Sequence, residues 1–538
     1  MLGQRLKLKL HQLIWTKPFQ QRLQTTAAPS TLDVSEKDLS TSKPVGWDQA
    51  RPYNEIPKVS LFNFILKLMP GGKYHKMQFP DILLDMRRQH GPLFRLPNLG
   101  TKENLVLNDP HHFEQVFRTE GPWPERPGMQ ILQYYRKEAR KDFYKGTQGI
   151  VGSQGQEWAN FRFTVNPVLM QPKTIRLYHQ KMSDINKEFI QRIRDIRDGS
   201  TFEVPENFEE EINRWTLESV SAIALDKQLG LIKANRDNPQ AKKVFDNLNI
   251  IFELLGELEL KPSIWRYVST PKFQRLLKAF DEIQEITSGY VNEAVERLER
   301  EPPNKPDHEK SLLEKLLKTN KQIAIVMAID MLMAGVDTTT SAFTGTLICL
   351  AKNPEKQAKL REEIRRILPN KDSDFTEASM KNMPYLRACM KESLRLYPLT
   401  SGNSRIVKSD IILNGYQIPS NTQVVMLSTG LLTNEEHYPR SQEFLPERWL
   451  RTENKVASDK GCSLPLKPSS PFVYLPFGFG PRMCIGKRIV EMELELGIAR
   501  LIRNFNVEFN YPTENAFKSL LINVPNIPLR YKFTDIQN

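Results

Sequence analysis

Cysteine is scarce in this chain, with four in 538 residues. None of Cys349, Cys389, Cys462 and Cys484 stands in a C-x-x-C pair, and four thiols in so long a chain make no disulfide framework. Neither a stapled secreted scaffold nor a structural zinc site is therefore indicated, and a reducing compartment fits. Acidic residues are missing from the first 32 positions, where Arg5, Lys7, Lys9, Lys17 and Arg22 are interleaved with Leu2, Leu6, Leu8, Leu10, Leu13, Ile14 and Trp15. That combination predicts a mitochondrial transit peptide; residues 1–44 would hold it and its linker, leaving one folded domain over 45–538. No run of about 18 apolar residues stands out, so no membrane-spanning helix is expected. Nucleic-acid motifs are absent as well, so the formal charge of +13 points to an acidic protein partner or an anionic membrane surface.

What the chain does have is helical periodicity. Apolar residues recur three and four apart over Gln180–Arg197, Asn207–Ala224, Phe273–Leu298 and the long stretch Ser311–Leu350. Strand-like pieces are few: Leu93–Leu96, Leu105–Leu107, Ile411–Ile418 with a turn at Asn414-Gly415, and the region Leu520–Phe533. The expected fold is mainly α with small β-sheets, in a single large domain.

One loop carries the chemistry. In Pro476-Phe-Gly-Phe-Gly-Pro-Arg-Met-Cys484-Ile-Gly486, followed at once by a helical run from Ile485 to Ile502, a single cysteine is presented among glycines. Gly478, Gly480 and Gly486 let the backbone turn tightly and approach a flat macrocycle. Phe477 can pack beneath such a ring. Arg482 and the helix N-terminus both favour an anion and would keep Cys484 as thiolate. A thiolate ligand pushes electron density onto a haem iron and favours O–O cleavage. A dinucleotide loop is excluded, because Gly-x-Gly-x-x-Gly would need glycine where Met483 stands.

The pattern Phe-x-x-Gly-x-Arg-x-Cys-x-Gly resembles the cytochrome P-450 haem-thiolate monooxygenases, and the resemblance extends from about Gly46 to the C-terminus. It is strongest to the mitochondrial type, and within that to insect members acting on foreign compounds and possibly steroids. The fold implied is that of the family, and the cofactor haem b with Cys484 as axial ligand. Ala334-Gly335-Val-Asp337-Thr338-Thr339 matches the family's oxygen-side helix motif. Gly335 would leave room for a ligand, the Thr338 hydroxyl can bond the Ala334 carbonyl and open the helix locally, and Asp337 would relay protons.

Trp158 and Arg162, four apart, can both donate to haem propionates, and Arg482 and Arg405 resemble the remaining propionate-binding positions. Glu392 and Arg395 share a helix face, and Arg448 in Pro446-Glu-Arg-Trp449 would complete a buried structural network with them. Arg387 and Lys391 stand where mitochondrial relatives receive an acidic iron–sulfur ferredoxin, itself reduced by ferredoxin reductase. The implied activity is oxygen insertion from O2 into a lipophilic xenobiotic or steroid-like substrate, by an enzyme associated peripherally with the matrix side of the inner mitochondrial membrane. The segments Gly121–Tyr135, Asn249–Ile264 and Leu520–Val524 would line the substrate pocket. A haem-thiolate isomerase that rearranges peroxides and a non-catalytic haem sensor are the alternative readings.

Overall fold

The stretch expected to run as one helix from Ser311 to Leu350 is two helices in the computed structural model. Leu312–Thr319 ends at Asn320, which is extended (φ −168°, ψ 129°) and accepts with its side-chain oxygen from the N–H groups of Gln322 and Ile323. Such a cap satisfies donors that a new helix would otherwise leave orphaned. The residues described are 43–97, 103–233, 238–260, 263–300, 306–450, 455–457, 463–465 and 468–537. The expected transit peptide and Cys462 lie outside them. Pro44–Asn538 forms one compact unit.

In chain order the helices that matter for the site are α1 (Leu61–Leu68), α2 (Gly155–Leu169), α3 (Phe208–Ala224), α4 (Pro239–Leu260), α5 (Pro271–Arg300), α6 (Lys321–Lys352), α7 (Pro384–Leu396) and α8 (Lys487–Asn504). α3 and α5 begin and end within two residues of the periodicity that predicts them, and a further helix covers His179–Ile196. α6 is the axis of the molecule, packed by α3, α5, α7 and α8. It corrects one expectation, since it holds an 18-residue window long and apolar enough to cross a membrane. Neighbouring helices, not lipid, cover its apolar faces, and a helix apolar all round can be a core helix. Its buried acid, Asp330, is bonded to the equally buried Arg136 (2.6 Å) and to the Ile150 N–H (2.6 Å). Arg136 reaches it from a π-helical turn, Tyr135–Ala139.

Sheets stand beside this helical body. β1 (Leu93–Leu96), β2 (Asn104–Leu107), β3 (Gly402–Ile406) and β6 (Gln423–Leu427) form a four-stranded sheet in the order β1-β2-β6-β3, with β2 and β6 parallel and the other pairs antiparallel. β4 (Ile411–Leu413) and β5 (Tyr416–Ile418) make the expected hairpin, and its turn residues Asn414 and Gly415 both have positive φ (50° and 76°). Near the C-terminus β7 (Phe505–Glu508) pairs with β10 (Lys532–Asp535), and β8 (Phe517–Ser519) with β9 (Asn523–Pro525). The strand-like region Leu520–Phe533 is therefore split between two sheets.

Where α8 passes α3 and α6, Gly497 fits against aromatic rings. A Cβ on it would lie 2.6 Å from the Trp215 ring and 3.3 Å from that of Phe343. Those two rings meet at a tilt of 44° with centroids 4.6 Å apart, and the Trp215 indole donates to Asn186 (2.8 Å). This three-helix contact seats the middle of α8 against α3 and α6.

Candidate functional site

The cysteine loop turns as its glycines require. Gly478 and Gly480 have φ of 72° and 73°, and the Cys484 N–H closes the turn by donating to the Phe477 carbonyl (2.9 Å). Cys484 lies deep in the molecule, yet its side chain is solvent-accessible, so it faces a cleft and not packed core. Burial pushes its thiol up. The Gly486 N–H, the charges of Arg162 and Arg126 and the Lys487 N–H pull the other way. The N–H groups at the helix start favour the anion, and the largest cationic contributions come from Arg162 and Arg126. Phe477 packs against the main core, with the Lys487 ammonium 5.6 Å from its ring.

Arg482 is fixed from two sides. It donates to the carbonyls of Pro124 (3.0 Å) and Ser153 (3.0 Å) and to the Gln154 side chain (2.8 Å), and its guanidinium lies 4.1 Å from the Trp158 ring centroid. Trp158 and Arg162 sit one turn apart on α2, both buried. Arg405, on β3, bonds Glu120, its neighbour Ser404 and the carbonyl of Phe479 in the cysteine loop (3.2 Å). Arg126 completes the group without a side-chain hydrogen bond among the described residues, although it faces Arg405 and Cys484.

Four arginines with one facing carboxylate, Glu120, are an anion site. Burial and then the charges of Arg126, Arg405 and Arg162 push Arg482 down to about 9, and burial pushes Arg162 down to about 10. Two of their N–H groups, Nη1 of Arg482 and Nε of Arg162, are buried without a partner. Orphaned donors of this kind are costly unless an anion takes them. A dianionic, flat, apolar-faced group that also bonds sulfur matches these demands, and haem is such a group. Arg126 and Glu120 were not singled out from the sequence, because neither Glu120 nor Arg126, the one basic residue of Gly121–Tyr135, stands in a motif that ties it to Cys484.

The opposite wall belongs to α6. Ala334 is exposed although the helix around it is buried, which shows the helix lining the cleft there. The Thr338 hydroxyl donates to the Ala334 carbonyl (2.7 Å), as the spacing predicts, but α6 stays continuous and does not open. Burial pushes Asp337 up to about 6. Gly335 corrects the sequence reading: its open side lies against Val220 of α3, where a Cβ would come within 2.9 Å, so it serves helix packing and leaves the ligand-facing place to Ala334.

The structural network joins all three expected residues and is richer than expected, although Nη1 of Arg448 is buried without a partner. Glu392 accepts from Arg395 (2.8 and 3.0 Å), Arg448 (2.9 Å), the Trp449 indole (2.9 Å) and the Leu445 N–H (3.1 Å). Arg395 and Arg448 also donate to the carbonyls of Leu432, Ser441, Glu443 and Arg440. On the outer face of α7, Arg387 is less free than expected, bonded twice to Glu495 of α8 (2.7 and 3.0 Å). Lys391 is exposed, 5.9 Å from the Trp449 ring.

Glu493 of α8 is a further acid that sequence reasoning missed. It is 1% exposed, burial pushes it up to about 8, and the Thr339 hydroxyl opposes this at a geometry too poor for a hydrogen bond. A carboxyl whose folded value exceeds its unfolded one keeps its proton while the unfolded chain releases it, so stability falls as pH climbs from about 4.5 to about 8. Glu493→Gln should abolish that dependence. Its stability advantage over the wild type should grow across the window by up to about 1.4 kcal/mol per pH unit, read from denaturation midpoints. A difference that stays flat with pH would show that Glu493 does not hold its proton.

A family model described as "Cytochrome P450" matches residues 57–533. The chain is 59% identical over 497 residues to "Cytochrome P450 CYP12A2" of Musca domestica, covering 91% of this chain and 93% of that protein. It is 55% identical over 525 residues to "Probable cytochrome P450 12a5, mitochondrial" of Drosophila melanogaster, covering 95% and 97%. To "Probable cytochrome P450 12c1, mitochondrial" of the same fly it is 44% identical over 494 residues, covering 91% and 93%.

Proposed function

Because the chain belongs to the cytochrome P450 family, whose members are monooxygenases using haem with a cysteine thiolate ligand, we propose that it oxidises a lipophilic xenobiotic or steroid-like substrate in the mitochondrion, with electrons from an acidic ferredoxin. RH, O2, two electrons and two protons would give ROH and water. The observation that carries the reading is the solvent-accessible Cys484 set beside arginines with orphaned donors. Relatives named as mitochondrial and the acid-free basic N-terminus support the compartment. Peripheral attachment to the inner membrane is supported by the exposed apolar residues Leu61, Phe62, Ile65 and Leu66 of α1 and Met69 just past its end.

In this reading Cys484 would bind the iron and Trp158, Arg126, Arg162 and Arg482 would hold the propionates, while Arg405, its donors taken by Glu120, Ser404 and Phe479, would brace the cysteine loop beside them. The bound haem supplies oxygen activation. Asp337, titrating near 6, can pass a proton at physiological pH, and Thr338 holds one at the cleft face of α6. The substrate lies over Ala334, under a roof where Gly256 of α4 packs on Leu520 and Leu521 between β8 and β9. An isomerase or a haem sensor would need no such proton route, and the Asp337–Thr338 pair favours oxygen insertion. Thr338→Ala should leave haem and substrate affinity near wild type while product formed per electron falls roughly tenfold or more and hydrogen peroxide rises. Unchanged coupling would remove Thr338 from proton delivery.

Electron entry is assigned to the outer face of α7 and the start of α8. Since Arg387 is matched by Glu495, the charge open to a partner is that of Lys391 and Arg488. Turnover of lipophilic substrates with ferredoxin and ferredoxin reductase tests the whole reading, and no product with any of them would overturn it. Replacing Lys391 and Arg488 by Gln should slow reduction about tenfold at low salt, by loss of steering. The difference should close as ionic strength rises and the Debye length falls below about 10 Å. Equal rates at low salt would move the docking site elsewhere.

A further inference from the structure

Glu120 lies just beyond the helix Pro110–Arg118 and is 2% exposed. Its two oxygens have different surroundings. Oε2 takes the Nε–H of Arg405, while Oε1 is buried without a hydrogen bond and abuts Gly480, where any Cβ would collide with it. Gly480 is thus required twice, by its φ of 73° and by this carboxylate. Arg405 in turn donates to the Phe479 carbonyl (3.2 Å), so the ion pair grips the cysteine loop from its outer side. Burial raises the Glu120 carboxyl, and the charges of Arg405 and Arg482 pull it back.

We propose that Glu120 is a positioning residue that sets the electrostatic potential at Cys484, withdrawing Arg405 from the anion-binding set and holding the iron site harder to reduce. The inference rests on the haem-thiolate reading. A buried carboxylate beside a metal site favours the more positive, oxidised state, and the low dielectric of its surroundings magnifies that preference. With Arg405 occupied, Arg126, Arg162 and Arg482 keep free donors for the propionates. The same carboxylate thereby divides the arginines between loop and cofactor.

The test is spectroelectrochemical reduction of the haem-loaded Glu120→Gln and Glu120→Asp variants at pH 8. Gln keeps the shape and loses the charge, so the ferrous-to-ferric ratio at a fixed poise should rise about tenfold, equal to about 59 mV for one electron. Asp keeps the charge and should stay near the wild type. The Soret band of the reduced carbon monoxide complex should be the same in all three. No shift in Gln, or equal shifts in Gln and Asp, would overturn the proposal and leave Glu120 a packing residue. If Glu120→Gln does not retain haem, Arg405→Gln must shift the ratio in the opposite direction, and a shift of the same sign or none would overturn it. A wild type without the thiolate-type band would instead refute the haem-thiolate reading itself.

Discussion

Cys484→Ser is expected to give a folded protein whose reduced carbon monoxide complex lacks the thiolate-type Soret band and which forms no product. Serine keeps the shape of the loop, whose turns depend on Gly478 and Gly480 and on the Cys484 backbone N–H, none of which the change touches. It replaces a sulfur that can ionise with an alcohol that remains neutral at any working pH, and the metal loses its anionic donor. No other described cysteine can substitute. Cys349 and Cys389 are buried in α6 and α7, where burial pushes the first up to about 12 and the second well above its ordinary value. Retention of the wild-type band in the variant would end the assignment of Cys484.

Glu392→Ala should destabilise the fold by about 3–5 kcal/mol, because it leaves two guanidinium groups at zero exposure without their counter-charge. Against a typical domain stability of about 5–15 kcal/mol that is a large fraction, so haem-loaded protein should be recovered in much lower yield. The denaturation midpoint of whatever folds checks the figure. Arg395 and Arg448 are also tied to four backbone carbonyls and cannot turn outward to solvent. Trp449 and Leu445 would lose their acceptor too. A midpoint within experimental error of the wild type would show that the network is dispensable.

The parts of this structure that were legible beforehand are those governed by short-range pattern. Periodicity located α3 and α5, the Asn-Gly turn located the β4–β5 hairpin, and the glycine spacing located the cysteine loop. The four-residue interval to Ala334 foretold the Thr338 bond. What escaped depends on partners distant in the chain. Asn320 caps a helix only because its backbone is extended, which the helical periodicity on either side of the polar stretch Lys318–Gln322 concealed. Gly335 looked like room for a ligand because Val220, on another helix, is invisible from its own neighbourhood. Arg387 looked like free charge until Glu495 was set beside it. Glu120 and Arg126 matter through Arg405 and Cys484, hundreds of positions away, and no local motif announces either.

The packing at Gly497 works as a mechanical gauge. Cys484 rides just ahead of α8, Ala334 and Thr338 ride on α6, and the two helices meet through a residue with no side chain seated on Trp215 and Phe343. The calibre of the cleft is thereby tied to a contact that involves none of Cys484, Ala334 and Thr338. Loops around the opening are free to diversify without altering the distance between its walls, whereas one added methyl group at position 497 would prise them apart. A scaffold dimensioned in this way can change what it admits while keeping constant the slot into which the cofactor slides.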